Sequence, residues 1–384
     1  PVPTTQIEDI GRFAAPTSWP DDVREWPALE KEPALHPVQV GGRFGYIDES
    51  GAIAIKPAFA RALPFDENDR AAASDGRGWG VIDLAGQWVL PPTFAAPVRF
   101  SRIVMQPATE RRGELAVWRA VVGGGQGAGL FGYIDEFGVQ VISPTFAGAR
   151  PFSGGLAAAS TQPQRWGFID PSGLWRVPPL YEAARDFRES AAAVWADGRM
   201  GFIDARGRRI VQPKYDIAPQ DAGFCDFSGR LAAVRIDGKW GYIDRRGELA
   251  IAADFEAARP FSGGYAAVRV AGKWGFIDAR GRMVIAPAFT DVDPPDESDG
   301  VYRGGFRHAG GRLDDPRRDA EPWTLLAPAA TPAGWGFIGQ DGRFVVQPQY
   351  KSVGPFRGRL ARVETDAGSG YIDATGKVVF APSR

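Results

Sequence analysis

Few residues in this 384-residue chain have types that could do covalent or metal chemistry. Cys225 is the one thiol, and His36 and His308 are the only imidazoles, so a nucleophile activated by a neighbouring base is the first chemistry to consider. No third member, oxyanion hole, phosphate-cradling glycine loop, CxxC or HExxH pattern accompanies them. No catalytic residue and no cofactor is therefore expected, and Cys225 reads as a small buried apolar side chain. Asp291, Asp293, Asp296 and Asp299 offer hard oxygen ligands in "DVDPPDESDG", without the loop glycine and terminal bidentate Glu of a helix-loop-helix calcium site. No metal site is expected there. More conspicuous is an aspartate that returns in one fixed phrase, with a tryptophan just before it. Such a series would suit paired carboxylates or an aromatic sugar-gripping surface, so the phrase itself has to be read.

The phrase is aromatic-Gly-aromatic-Ile-Asp. It starts at Phe44, Trp79, Phe131, Trp166, Met200, Trp240, Trp274, Trp335 and Ser369. Successive starts lie 35, 52, 35, 34, 40, 34, 61 and 34 residues apart, which gives a unit of 34 to 35 residues with three insertions. Two short apolar runs flank Asp-x-x-Gly, the pattern of a β-hairpin with a tight connection. The carboxylate accepts backbone N–H groups of the turn, and the glycine takes a positive φ that a Cβ resists. These roles fall to Asp48 and Gly51, Asp83 and Gly86, Asp135 and Gly138, Asp170 and Gly173, Asp204 and Gly207, Asp244 and Gly247, Asp278 and Gly281, Asp373 and Gly376. In the remaining copy Gly342 keeps the turn but Gly339 replaces the aspartate. The glycine after each tryptophan, from Gly45 to Gly370, implies a bulge or a very close neighbour. An aromatic follows the hairpin, usually two residues after a proline, and a second comes six residues later, at Phe65, Phe100, Phe152, Phe187, Phe261 and Phe356. A run such as "YAAVRV" then turns into the next copy. Three or four short strands fill each unit, and the recurring tryptophans read as spacers between stacked units.

These residues resemble the WG-repeat family, a mostly bacterial group with this Trp-Gly, Ile-Asp-x-x-Gly and Pro-x-aromatic pattern. The resemblance covers about residues 40 to 382, departing at Gly339, Met200 and Ser369. It implies an all-β repeat module in the form of a propeller, and carries no catalytic residues. The aromatic hairpin is more distantly similar to choline-binding, cell-wall-binding repeats of bacterial surface proteins.

The expected architecture is all-β, built from tandem 34-residue β-hairpin repeats in a β-propeller-like ring, with an open β-solenoid or superhelical stack as the alternative. One unit cannot bury its apolar face alone, so the copies form a single domain over 41–384. Residues 1–40 either supply the half-unit missing after "VVFAPSR", closing the ring, or cap an open stack. With Lys plus Arg at 45 and Asp plus Glu at 46, the net charge of −1 offers no bulk attraction to nucleic acid or anionic membrane. Apolar runs are too short to span a bilayer. A start at Pro1 and the excess of Arg over Lys point to a bacterial protein whose export signal has been removed, with the envelope favoured over the cytoplasm.

Function on a repeat scaffold concentrates in insertions. They cover about 101–129, 216–226 and 290–333, all between the Pro-x-aromatic element and the next Trp-Gly. The aromatic and arginine side chains there suit a protein interface: Trp118, Tyr302, Phe306, Arg307, His308, Arg317, Arg318 and Trp323. The expected function is a non-enzymatic scaffold for a protein partner. The alternatives are a glycan or cell-wall binder using the repeat aromatics, and an enzyme acting at the 290–333 insertion.

Overall fold

The computed structural model describes residues 35–66, 69–98, 100–105, 115–123, 130–135, 137–292, 305–309 and 324–383. Among these, the chain forms nine small antiparallel sheets in succession, here called blades 1 to 9. Blade 7 shows the plan, with strands Ala257–Ala258, Tyr265–Val270, Lys273–Asp278 and Met283–Phe289 hydrogen-bonded in that order. The sequence unit straddles two blades. Its Trp-Gly and apolar runs make the third and fourth strands of one blade, and its second half makes the first and second strands of the next.

The recurring glycine and proline belong to one device. Trp274 pairs with Phe289 and Phe276 with Ile285, so the fourth strand carries two extra residues opposite Gly275. The fourth strand bulges here. Pro287 sits in the bulge, where no ladder N–H is required, and a Cβ on Gly275 would lie 2.6 Å from the Ile285 carbonyl oxygen. At the hairpin turn, Asp278 Oδ1 accepts the backbone N–H groups of Arg280 at 2.9 Å and Arg282 at 3.0 Å, and Gly281 has φ +77°. Asp48, Asp83, Asp135, Asp170, Asp204, Asp244 and Asp373 each hold the same pair of bonds. Where Gly339 replaces the aspartate, Asp341 accepts one turn N–H instead, from Arg343.

Each interface between neighbouring blades has its own apolar core, and among the described residues there are nine such clusters. The third-strand aromatic of one blade packs against the second aromatic of the next, as in Tyr46 and Phe65 at 4.8 Å or Phe168 and Phe187 at 4.8 Å between ring centres. Burying such rings, at roughly 1.5–3 kcal/mol each, is what a solitary unit lacks. The ninth cluster joins Val38 and Ile47 of blade 1 to Leu360 and Tyr371 of blade 9. Here the Tyr371 hydroxyl donates to the Pro37 carbonyl at 2.7 Å. The turn at Gly51 rests on Val379, just as Gly86 rests on Ile55 and Gly281 on Ile251. First and last blades are therefore neighbours, and the architecture is a closed propeller-like ring rather than an open solenoid.

Blades 1 and 6 have three strands. In blade 6 a 3-10 helix, Pro219–Phe224, replaces the first strand. It is held by the Trp195 indole N–H, which donates to the Ile217 carbonyl at 2.6 Å, and Cys225 behind it is fully buried in the core between blades 5 and 6.

Candidate functional site

From blade 4 to blade 8 the connections leading into the second strand touch those of the next blade, making a rim. Ser153, Ser228 and Ser262 each donate through Oγ to the carbonyl of the next blade's second aromatic, Phe187, Phe261 and Phe306, at 2.6, 2.6 and 2.8 Å. Two ion pairs reinforce it. Arg150 Nε donates to Asp186 Oδ1 at 2.6 Å, and Arg185 grips both Asp226 oxygens at 2.8 and 2.9 Å. Burial opposes the Arg185 cation, yet the Asp226 carboxylate outweighs it and holds the guanidinium pKa above its ordinary value. Further round, the Arg259 guanidinium lies 4.0 Å over the Phe224 ring, a cation–π contact.

All three insertions lie in the path from the last strand of one blade to the second or third strand of the next. The first lengthens blade 3, whose opening strands are Phe100–Met105 and Leu115–Gly123. The second supplies the 3-10 helix of blade 6. The third carries the opening strands of blade 8, Arg307–Ala309 and Thr324–Thr331.

Of the residues expected to bind a partner, Trp118 lies in the second strand of blade 3, opposite Arg102. Arg307 and His308 lie in the first strand of blade 8, opposite Leu326 and Leu325, and Arg307 is half-buried. Tyr302, Arg317, Arg318 and Trp323 fall outside the described residues, as do Asp293, Asp296 and Asp299. Phe306 requires correction. It is 1% exposed and packs on Phe276 at 5.1 Å and Tyr265 at 5.0 Å, the place taken by Phe187 or Phe261 in other blades. The insertion delays it from six to seventeen residues after Phe289, which hides its membership of the series. Cys225 and His308 lie in different blades, with blade 7 between them.

Sequence reasoning missed the place of His36. Its register partner is Ile47, and at the same register the other eight blades have alanine: Ala71, Ala120, Ala157, Ala192, Ala232, Ala266, Ala327 and Ala361. The imidazole is 2% exposed, stands 5.5 Å from the Tyr371 ring across the closing seam, and its Nε2 has no hydrogen-bond partner. Burial, aided by the Arg357 cation, pulls its pKa down from 6.5 to about 4. Aligning the nine units column by column is the signal that finds it.

The model of the WG containing repeat family matches residues 44–76, 79–96, 131–161, 166–197, 200–240, 240–274, 274–303 and 335–367. No curated protein matches the chain. Among solved structures, BamB from Moraxella catarrhalis is similar at 12% identity over 75% of this chain and 92% of that one, with a TM-score of 0.39. A eukaryotic initiation factor is similar at 13% identity over 82% and 85%, TM-score 0.44. BBS1N, solved in complex with ARL6DN, is similar at 13% identity over 80% and 91%, TM-score 0.33.

Proposed function

Since the chain belongs to the WG containing repeat family, we propose that it works as a non-enzymatic scaffold, holding a protein partner against the rim that bears its insertions. The observation that supports this reading is the shared position of the three insertions. Extra chain scattered by drift would fall in hairpin turns all over the ring, whereas here all three insertions lie between the last strand of one blade and the third strand of the next. A closed ring with nine cores gives those segments a rigid frame, which lowers the ordering cost of binding. The function then lies in what the ring presents and not in the repeat itself.

The test keeps blade 8 intact. Removing residues 290–333 would delete Phe306 and the strands Arg307–Ala309 and Thr324–Thr331, so the ring itself would suffer. Instead, residues 310–322 or 106–114 are replaced by a short Gly-Ser link, and the intact chain and both variants are compared by quantitative affinity capture from a host lysate with in-cell cross-linking. A partner captured by the intact ring and lost from one variant, at unchanged melting temperature, is the expected result. Identical captures from all three would end the reading.

A further inference from the structure

The turns between the third and fourth strands follow one another round the ring, and their chemistry changes part of the way round. Each turn glycine is seated on the fourth strand of the preceding blade, as Gly138 is on Leu90, Gly173 on Ile142 and Gly207 on Val177. The same seating recurs at all nine blades. Each turn is five residues long, from the aspartate column to the position after the glycine, as in 204–208. Among the described residues, the turns of blades 1 to 4 carry five acidic side chains and no basic one, whereas those of blades 5 to 9 carry eight basic and six acidic. The boundary falls between blade 4 and blade 5.

On the acidic side of that boundary, apolar side chains also stand in solvent. Phe137, Val139 and Leu174, in the turns of the adjoining blades 3 and 4, are 77%, 59% and 62% exposed. The sister blades fold without such residues. In the Phe137 column they have alanine, serine, threonine, aspartate or arginine, and in the column shared by Val139 and Leu174 they have alanine, glutamine, glutamate, lysine or arginine. Apolar residues one position further on are different. Trp88, Trp175 and Phe344 pack on Phe59, Phe146 and Phe289 of the preceding blade, so that column belongs to the blade interfaces. Neighbouring exposed apolar side chains with no such packing role mark a contact surface.

We infer that these turns form an interface between two copies of the chain, related by a twofold axis through the boundary between blades 4 and 5. The surface complementary to blades 3 and 4 is present on the same chain, in the basic turns of blades 5 and 6. A twofold axis at the boundary lays blade 4 of each copy on blade 5 of the other, and blade 3 on blade 6, so the complementary sets meet twice. Leu174 then faces Arg206 and Arg208, while Phe137 and Val139 face Arg246. An arginine stem covers apolar side chains, and its guanidinium stacks on an aromatic face. Arg208 pairs with Asp204 of its own turn but stays 71% exposed, and exposed pairs of this kind are readily given up. The net charge of −1 sets up no long-range repulsion between copies. The interface uses no residue of the three insertions, so its failure would leave the protein-partner reading untouched.

The experiment is analytical ultracentrifugation of the full chain over a concentration series. Wild type is expected to reach twice the 41.4 kDa of one chain and to stop there. Phe137→Arg installs the commonest residue of its column, so blade 3 still folds, but sets like charges against each other across the axis. Arg246→Asp, the residue of blade 8 in that column, sets an acid against the acidic turns. Each variant should weaken the dimer at least tenfold at an unchanged melting temperature, and an equimolar mixture of the two should regain it, because the new charges then attract across the axis. A wild-type chain that stays monomeric overturns the inference, as does a dimer that neither variant weakens, a mass that grows beyond two chains, or a mixture that stays monomeric. A monomeric chain that instead binds a basic peptide, and loses it in Phe137→Arg, also overturns the inference and reassigns the surface to another partner.

Discussion

Replacing His36 by alanine, the residue at the same register in the other eight blades, should make the ring more tolerant of acid. The imidazole titrates near pH 6.5 in an unfolded chain and near pH 4 in the ring. Below pH 6.5 the unfolded chain therefore gains a proton that the folded ring refuses, and stability falls until pH passes 4, where both states are protonated. Linkage over that interval amounts to about 3 kcal/mol in full, and about 2 kcal/mol of it is lost between pH 7.5 and pH 5. The loss lies in the closing seam, beside Tyr371, Arg357 and the Arg359–Glu49 pair at 3.7 Å. Carboxylates elsewhere titrate in both proteins and cancel in the comparison. Urea unfolding followed by tryptophan fluorescence at pH 7.5, 6.5, 5.5 and 5 should show the wild-type midpoint dropping faster than that of His36→Ala. Parallel pH profiles for the two would refute the reasoning, whatever the offset at neutral pH.

Three further outcomes follow from the same geometry. A Cβ on Gly167 would sit 2.4 Å from the Val177 carbonyl oxygen, whereas one on Gly198, at φ +69°, meets nothing within 4 Å. Thermal unfolding should therefore show Gly167→Ala losing about 3 kcal/mol by overpacking and Gly198→Ala only about 1 kcal/mol of left-handed backbone strain. Asp226→Asn leaves the Arg185 cation, 16% exposed, without its carboxylate, and should cost about 2 kcal/mol in denaturant titration. Tyr371→Phe removes the hydroxyl bond to Pro37 and should cost about 1 kcal/mol, with faster amide exchange in blades 1 and 9 than in blades 4 and 5.

Features set by one turn or one strand pair were legible in the sequence, because their causes lie within a few residues. Asp244 with Gly247 specifies a turn wherever it occurs, and Gly275 with Pro287 specifies a bulge. Closure was left open between ring and solenoid, since it depends on residues at opposite ends of the chain: the Tyr371 hydroxyl donates to a carbonyl 334 positions earlier. No local pattern announces that bond. Phe306 was misread for a related reason, as a spacing of seventeen conceals a packing role that a spacing of six reveals.

The same contrast bears on how function is encoded. Eight blades with alanine opposite the third-strand isoleucine say what the scaffold needs at that register, so His36 is a departure that the scaffold does not require. The residue has an ordinary type and the information lies in its column. A repeat protein supplies its own control at every position: the sister blades fold without the departure, and any role the departure has must be sought outside what holds a blade together. By that argument His36 is the position where restoring the blade-typical alanine should leave the ring standing and change one property, acid tolerance at the seam.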